Sequence, residues 1–296
     1  MTEKAVAPGA ARDPTMMEAC LSNALRMLPI KHGAHRILDR LKPSAWTGGS
    51  PVVDIPYRGH VVRMDVSDLV GWHFLMLRNF DPEVTEVLER FSAGDEGDVF
   101  WDIGANKGAC SYEIATALPR ARIVAIEPQQ EMQALLRKNL AAIAPGRHEL
   151  WRFGIGESPG FGEIFIPQGN SGAASMLAAH RTAASRTELV PVTTAAAVRE
   201  LSAFGWPTIV KIDVEGSEPS VVRSLEPAFA DARVRCCVFE CHPPEAAGYA
   251  AIRACTEKHG YSLHAIRKTA FSTTLVPAPF LAPGSTDYAI VRHDLG

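Results

Sequence analysis

Apolar residues change period along this chain, and the changes mark its elements. From Met16 to Leu41 the positions Met17, Cys20, Leu21, Ala24, Leu25 and Leu28 recur at spacings of three and four, which predicts an amphipathic helix. The stretch P-V-V-D-I-P-Y-R-G-H-V-V-R-M-D-V predicts a hairpin turning near Arg58-Gly59. Asp81-Pro82-Glu83 supplies an N-cap residue, a proline at the first helical position and an acid in the first turn. A helix is therefore expected through Val87 and Leu88 to Phe91, after which S-A-G-D-E-G-D punctuates the chain.

After Gly97 short apolar runs alternate with longer helical ones. Strands are expected at Val99–Ile103, Arg122–Ile126, His148–Phe153, Thr208–Ile212 and Val234–Glu240. Helices are expected at Ala109–Leu118 and Gln129–Ala142, and from near Ser217 and Glu245. Such alternation predicts an α/β fold whose mostly parallel sheet is covered on both faces. Tyr261–Ile266 and Asp287–Arg292 read as strands with no helical pattern between them, which suits an antiparallel pair at one end of the sheet. No period of about 20–50 residues repeats, which excludes solenoids.

Three regions follow: a flexible tail over 1–15, an N-terminal accessory or cap region over 16–96, and an α/β domain over 97–296. Residues 167–187 break the rhythm with small residues and little periodicity. A loop of that length in a compact domain reads as a mobile substrate-side flap.

Composition narrows the class. Of 296 residues, 47% are hydrophobic and 21% charged, enough to bury a sizeable core, so global disorder is excluded. The net charge of −3 lacks the basic excess that gripping nucleic acid or acidic membranes requires. The six cysteines are too few for a disulfide scaffold and lack paired zinc spacing; Cys236, Cys237 and Cys241 read as buried small hydrophobes on a strand. With no apolar run near the ~20 residues of a membrane span and no evident secretory signal, the cytoplasm is the default address.

The chemistry concentrates in V-F-W-D-I-G-A-N-K-G-A-C-S. A strand ends at Ile103, a glycine-rich turn follows, and a helix begins. Gly104 and Gly108 permit positive φ and close backbone approach, and the helix N-terminus offers free N–H groups. About twenty residues beyond Gly108, Glu127 closes the strand I-V-A-I-E-P, where a carboxylate suits the two hydroxyls of a ribose. Turn and acid together indicate an adenosine-containing ligand.

The dinucleotide fingerprint needs a second glycine where Asn106 stands, and that side chain would crowd a pyrophosphate. Asp102 would repel one as well, yet the same charge attracts an ammonium. S-adenosylmethionine (SAM) has a ribose, an ammonium and no phosphate, so the charge logic selects it over NAD.

Further along, I-V-K-I-D-V-E-G-S-E-P places Lys211, Asp213 and Glu215 at or just past a strand end, with a turn into a helix near Ser217. Asp213 would share the crevice at the carboxyl ends of the strands, where such sheets bind ligands. V-F-E-C-H-P-P adds Glu240 and His242 at the next strand end.

D-I-G-A-N-K-G, A-I-E-P, K-I-D-V-E-G-S-E and F-E-C-H resemble the signature blocks of the FkbM-type SAM-dependent methyltransferases, in order from about Val99 to Tyr261. The resemblance implies a Rossmann-like, seven-stranded class I methyltransferase sheet whose last strand is antiparallel. It also implies O-methylation of sugars or other natural products. By this match Asp102, Gly104, Asn106, Gly108 and Glu127 line the cofactor, with Asp213 nearby. The chain departs from the pattern after its third strand, where F-G-I-G-E-S has no acid at the strand end. The adenine contact then falls to backbone around Ile155–Gly156 or to Glu157.

For an O-methyltransferase, a base must take the acceptor's proton. His242 is the first candidate, with Glu240 as its orienter or alternative, and Glu215 is expected to hold acceptor hydroxyls. Asp213, Glu215, Glu240 and His242 could instead gather around Mg²⁺, but nothing in their spacing demands it and no metal is assigned. Two other readings compete. A nucleotide-dependent oxidoreductase is opposed by Asn106 and Asp102; a non-catalytic SAM-binding module would retain the cofactor without methylating any acceptor. The expected partner is a small-molecule or saccharide acceptor, with neither nucleic acid nor a membrane span involved and a homo-oligomer open.

Overall fold

A computed structural model describes residues 11–28, 38, 51–94, 97–182, 185–241, 246–282 and 285–295. Helix α1 (Met16–Arg26) starts at a capping box: the Thr15 side chain accepts from the Glu18 N–H, and Glu18 accepts from the Thr15 N–H. The expected continuation toward Leu41 lies almost wholly outside the described residues. Of the expected tail, residues 11–15 are described, and Arg12 is held against the following hairpin: its N–H donates to the Val52 carbonyl and its carbonyl accepts from Asp54 N–H.

Strands β1 (Val52–Tyr57) and β2 (His60–Asp65) form the expected hairpin. Arg58 and Gly59 make its turn with φ of 44° and 83°, both left-handed, the geometry that matches strand twist. Helix α2 (Leu69–Leu77) was not predicted. L-V-G-W-H-F-L-M-L is apolar all round because Val70 through Met76 are all buried, so no period marks it. Helix α3 (Pro82–Arg90) begins where the Asp-Pro-Glu signal put it.

The central sheet is built from β3 (Val99–Ile103), β4 (Arg122–Ile126), β5 (His148–Trp151), β9 (Ile209–Ile212), β10 (Cys236–Glu240), β11 (Tyr261–Lys268), β12 (Thr273–Pro277) and β13 (Asp287–Arg292). Their order is β12-β11-β13-β10-β9-β3-β4-β5. Strands β5, β4, β3, β9 and β10 run parallel, and β13 lies antiparallel between β10 and β11. The seven expected strands are all there, with the last one antiparallel, and β12 adds an eighth on the β11 edge.

Helices cover both faces: α4 (Ala109–Ala117), α5 (Gln133–Ile143), α6 (Ala195–Leu201), α7 (Glu218–Ser224), α8 (Glu226–Ala230) and α9 (Ala246–Glu257). Strand β3 is buried throughout, and alternate residues feed two cores: Phe100 one, Val99, Trp101 and Ile103 the other. The Phe100 core also contains Leu25, Val53, Phe74, Val84 and Leu88, so the N-terminal elements pack on the sheet itself.

A small second sheet joins β6 (Gly154–Ile155), β7 (Gly160–Ile166) and β8 (Arg186–Thr193) in the order β6-β8-β7. Of the segment expected as a flap over 167–187, residues 186–187 open β8 and the rest is the long connection of the β7–β8 hairpin, which carries two 3₁₀ turns, Ser171–Ala173 and Ala178–His180. Among the described residues no helix is long and apolar enough to cross a membrane.

Candidate active site

The turn after β3 is built by exclusion of side chains. Gly104 has φ +82°, and a β-carbon there would stand 1.8 Å from the Asp213 carbonyl oxygen. The turns after β3 and β9 are thereby pressed together, which only glycine allows. Gly108, with φ +83°, caps α4, and a β-carbon there would meet Leu136 Cδ1 at 2.4 Å and the Tyr112 ring. Gly104 N–H and Ala105 N–H both donate to the Ile126 carbonyl, tying the turn to β4.

Glu127 follows β4, buried at the mouth of that turn. One carboxylate oxygen accepts from the Asn106 N–H and the other from the Gln129 N–H, both at 2.7 Å. Each oxygen keeps a lone pair for a hydroxyl. Burial pushes the Glu127 carboxyl up to about 7 against the pull of those two N–H donors. Asn106 adopts φ 48°, and its side chain serves the protein: Oδ1 accepts from Lys107 N–H and Nδ2 donates to the Ser171 carbonyl.

These groups open onto a cleft of about 840 Å³, whose walls include Gly104, Asn106, Glu127, Phe153, Ile155 and Asp213. Two residues expected there do not line it. Gly108 shapes the turn from behind, and Asp102 is fully buried, its Oδ2 accepting from Ser111 Oγ at 2.6 Å. Asp102 Oδ1 has no partner among the described residues. Burial raises the Asp102 carboxyl although the nearby Lys211 ammonium lowers it. Of the two adenine alternatives, Ile155 reaches the cleft wall, whereas Glu157 stands on the surface paired with Arg223 at 2.7 Å.

A second cleft of about 720 Å³ adjoins the first and is walled by Asp81, Asp213, Glu215, Glu240 and Asp287. Carboxylate oxygens of Asp213, Glu215 and Glu240 lie within 4.8 Å of one another. Glu215 sits at φ 51°, and its carbonyl accepts from Ser175 Oγ at 2.6 Å. Burial, and then the charges of Asp213, Asp287, Glu215 and Asp81, push the Glu240 carboxyl up to about 9. His242 lies outside the described residues. Lys211 Nζ donates to Asp213 at 2.8 Å. Burial pulls that ammonium down, but Asp213 and Asp102 outweigh it and hold it charged.

Four residues escaped the sequence reading. Asp68 caps α2, accepting from Gly71 N–H, and pairs with Lys107 Nζ at 2.6 Å. Lys107 also donates to the Asp65 carbonyl, and Ser171 Oγ donates to Asp68 Oδ2. Burial raises the Asp68 carboxyl, but Lys107 and Ser171 together hold it below its usual value. This knot joins three segments: the start of α2, the cofactor turn and the β7–β8 connection. Ser171 thus brings the β7–β8 connection against the turn after β3. The fourth is Asp81, whose D-P-E context reads as a helix cap and nothing else.

The model of the methyltransferase FkbM domain matches residues 102–263. No curated protein matches the chain in sequence. Among solved structures, it is similar to precorrin-6Y C5,15-methyltransferase from Geobacter metallireducens at 17% identity, covering 71% of this chain and 88% of that one, with a TM-score of 0.40. TYW2 from M. jannaschii in complex with AdoMet gives 14% identity, 83% and 86% coverage, and a TM-score of 0.42. A SAM-dependent O-methyltransferase from Thermotoga maritima gives 11% identity, 72% and 65% coverage, and 0.39.

Proposed function

This chain belongs to the FkbM methyltransferase domain family and uses SAM as its cofactor, and on that premise we propose that it methylates a hydroxyl oxygen of a sugar or another small natural product. The observation that carries the reading is the contact between two unlike clefts. One has the glycine turn and Glu127; the other presents five carboxylates, hydrogen-bond acceptors suited to a polyhydroxylated molecule.

In this reading Glu127 receives the ribose hydroxyls, and Gly104, Asn106 and Gly108 shape the turn beside them. Ile155 packs on the adenine. Asp102 from behind the wall, its Oδ1 without a partner among the described residues, and Asp213 on the wall supply negative charge toward the amino-acid end. Glu215 holds the acceptor hydroxyls, and His242, two residues beyond Glu240 in the chain, is a candidate base with Glu240 as its orienter or alternative. SAM brings an activated methyl group, so the protein's work is to align the partners and manage one proton, an alignment worth several kcal/mol. No metal is assigned to the acidic cluster.

Calorimetric titration with S-adenosylhomocysteine, and with NADH in parallel, tests the cofactor half. Binding of the former alone, lost in Glu127→Ala, is the expected result; binding of NADH alone would overturn it. Tritiated SAM with methyl glycosides of neutral hexoses, which offer hydroxyls and no amine, tests the acceptor half. Label retained through alkali supports an ether, whereas alkali-labile label is an ester and contradicts hydroxyl methylation.

A further inference from the structure

The methyl group must pass from the cofactor cleft into the acceptor cleft, so residues on both walls surround its path. They are Phe80, Asp81, Gly172, Lys211 and Asp213. Three of these carry charge, and two of the three, Lys211 and Asp213, are paired with each other at 2.8 Å. Asp81 holds the N-cap position of α3, yet its backbone (φ −123°, ψ 74°) leaves the cap hydrogen bond unmade. An N-cap aspartate normally accepts from the N–H two or three residues on. Here that local role is given up where the two clefts meet, the kind of departure expected at functional sites.

The position is firmly set. Buried Glu113 of α4 accepts from the Phe80 N–H at 3.0 Å and from Thr85 Oγ1 at 2.8 Å, anchoring the residue before Asp81 and the first turn after it. The charged and titratable groups facing Asp81 are Lys211 and Asp213 beside β9, Asp287 of β13, Glu83 of α3, Glu240 of β10 and Cys110 of α4. Burial raises the Asp81 carboxyl, the Lys211 ammonium opposes that rise, and the surrounding carboxylates add to it. The charges that raise Glu240 are carboxylates. A carboxylate beside a cation, placed where the two clefts meet, suits a general base.

We propose that Asp81 is a catalytic base of this enzyme, facing the transferring methyl and taking the proton of the acceptor hydroxyl. The acceptor oxygen forms the new C–O bond as the C–S bond breaks, and the electron pair of that bond returns to sulfur, leaving a neutral thioether. The O–H proton passes to the Asp81 carboxylate. This assignment rests on the methyl-transfer reading above and adds a residue that lies outside the 102–263 family match.

The test compares affinities for SAM and for S-adenosylhomocysteine by calorimetry in wild type, Asp81→Asn and Asp81→Glu. The two ligands differ in the sulfonium charge, which a facing carboxylate attracts. Asp81→Asn is expected to weaken SAM about tenfold and leave S-adenosylhomocysteine within about twofold, and Asp81→Glu to restore much of the SAM preference. Wild-type preference for SAM should fall as pH is lowered far enough to protonate Asp81, while Asp81→Asn shows no such slope. With tritiated SAM and any monosaccharide that accepts label, kcat should fall ~10²–10⁴-fold in Asp81→Asn. Equal weakening of both ligands, or of neither, would overturn the proposal. Failure of wild type to bind either ligand would instead remove the methyl-transfer reading beneath it, and the role of Asp81 with it.

Discussion

The cofactor half and the acceptor half of this site are assembled in opposite ways. The cofactor half is mostly contiguous: the β3 turn, α4 and Glu127 fall within 26 residues, 102–127, on two neighbouring strands, and Ile155 and Asp213 complete its wall. The acceptor half gathers Asp81, Asp213 with Glu215, Glu240 and Asp287 from four places spread over some two hundred residues. A site written in one stretch is fixed mostly by backbone geometry. A site collected from many stretches depends on packing between elements that no local pattern announces.

The Lys107–Asp68–Ser171 knot is where the two halves are tied, so cutting it gives the largest expected effect. The side chains of Lys107 and Asp68 are only 6% and 10% exposed. Lys107→Met leaves Asp68 buried with its ammonium gone, which costs about 3–5 kcal/mol. Denaturant unfolding should show that loss. Asp68→Leu in the same chain should recover much of it by removing the stranded charge. If the single variant is as stable as wild type, the halves are tied elsewhere.

Glycine strain separates the halves next. Gly104→Ala drives a β-carbon to 1.8 Å from the Asp213 carbonyl and should cost about 3 kcal/mol together with S-adenosylhomocysteine binding. Gly59→Ala has the same sign of φ, +83°, and nothing within 4 Å, so it should cost only about 1 kcal/mol and spare binding. Equal losses in the two would mean that φ alone, and not the close approach of the β3 and β9 turns, constrains the cofactor half.

Stability against pH gives an effect of similar size. Glu127 and Glu113, both buried, have carboxyls pushed up to about 7 in the folded chain. A carboxyl raised on folding contributes stability below its unfolded value, and that contribution is lost as pH rises through the folded one. Unliganded protein should therefore lose about 3 kcal/mol per group between about pH 4.5 and 7. Glu127→Gln should flatten its share of the slope, measured by urea unfolding at a series of pH values.

Legibility follows the same division. The D-I-G-A-N-K-G turn and Glu127 could be read because glycine and a strand-end acid have one physical meaning at that spacing. The positions of seven strands and a mostly parallel sheet were legible from alternation, and β12 was not, because its T-T-L-V-P is exposed or half-buried on an edge. Helix α2 was hidden by being buried on every side. Asp81 was read correctly as the N-cap and no further: D-P-E is a complete local explanation of where the helix starts, and only the tertiary fold shows that the side-chain cap bond is not made. Lys107 sits inside the recognised motif, yet its partner is 39 residues upstream, at Asp68.

The smallest effect is the sharpest on how far local reading can be carried. Sequence left two candidates for the adenine contact, the Ile155–Gly156 backbone and Glu157, two positions apart. In the fold they part company: Ile155 is buried on the cofactor wall, and Glu157 is exposed beside Arg223. An exposed ion pair contributes little and is screened by salt. Glu157→Ala should accordingly leave S-adenosylhomocysteine affinity within about twofold by calorimetry, with no dependence on ionic strength beyond that of wild type. Ile155→Ala, which removes apolar surface from the wall, should weaken it several-fold. The reverse ranking would mean that the cofactor's adenine end is held by a surface carboxylate after all. The cofactor half would then share the scattered, side-chain-dependent construction of the acceptor half, and the contrast between them would be confined to the turn at Gly104.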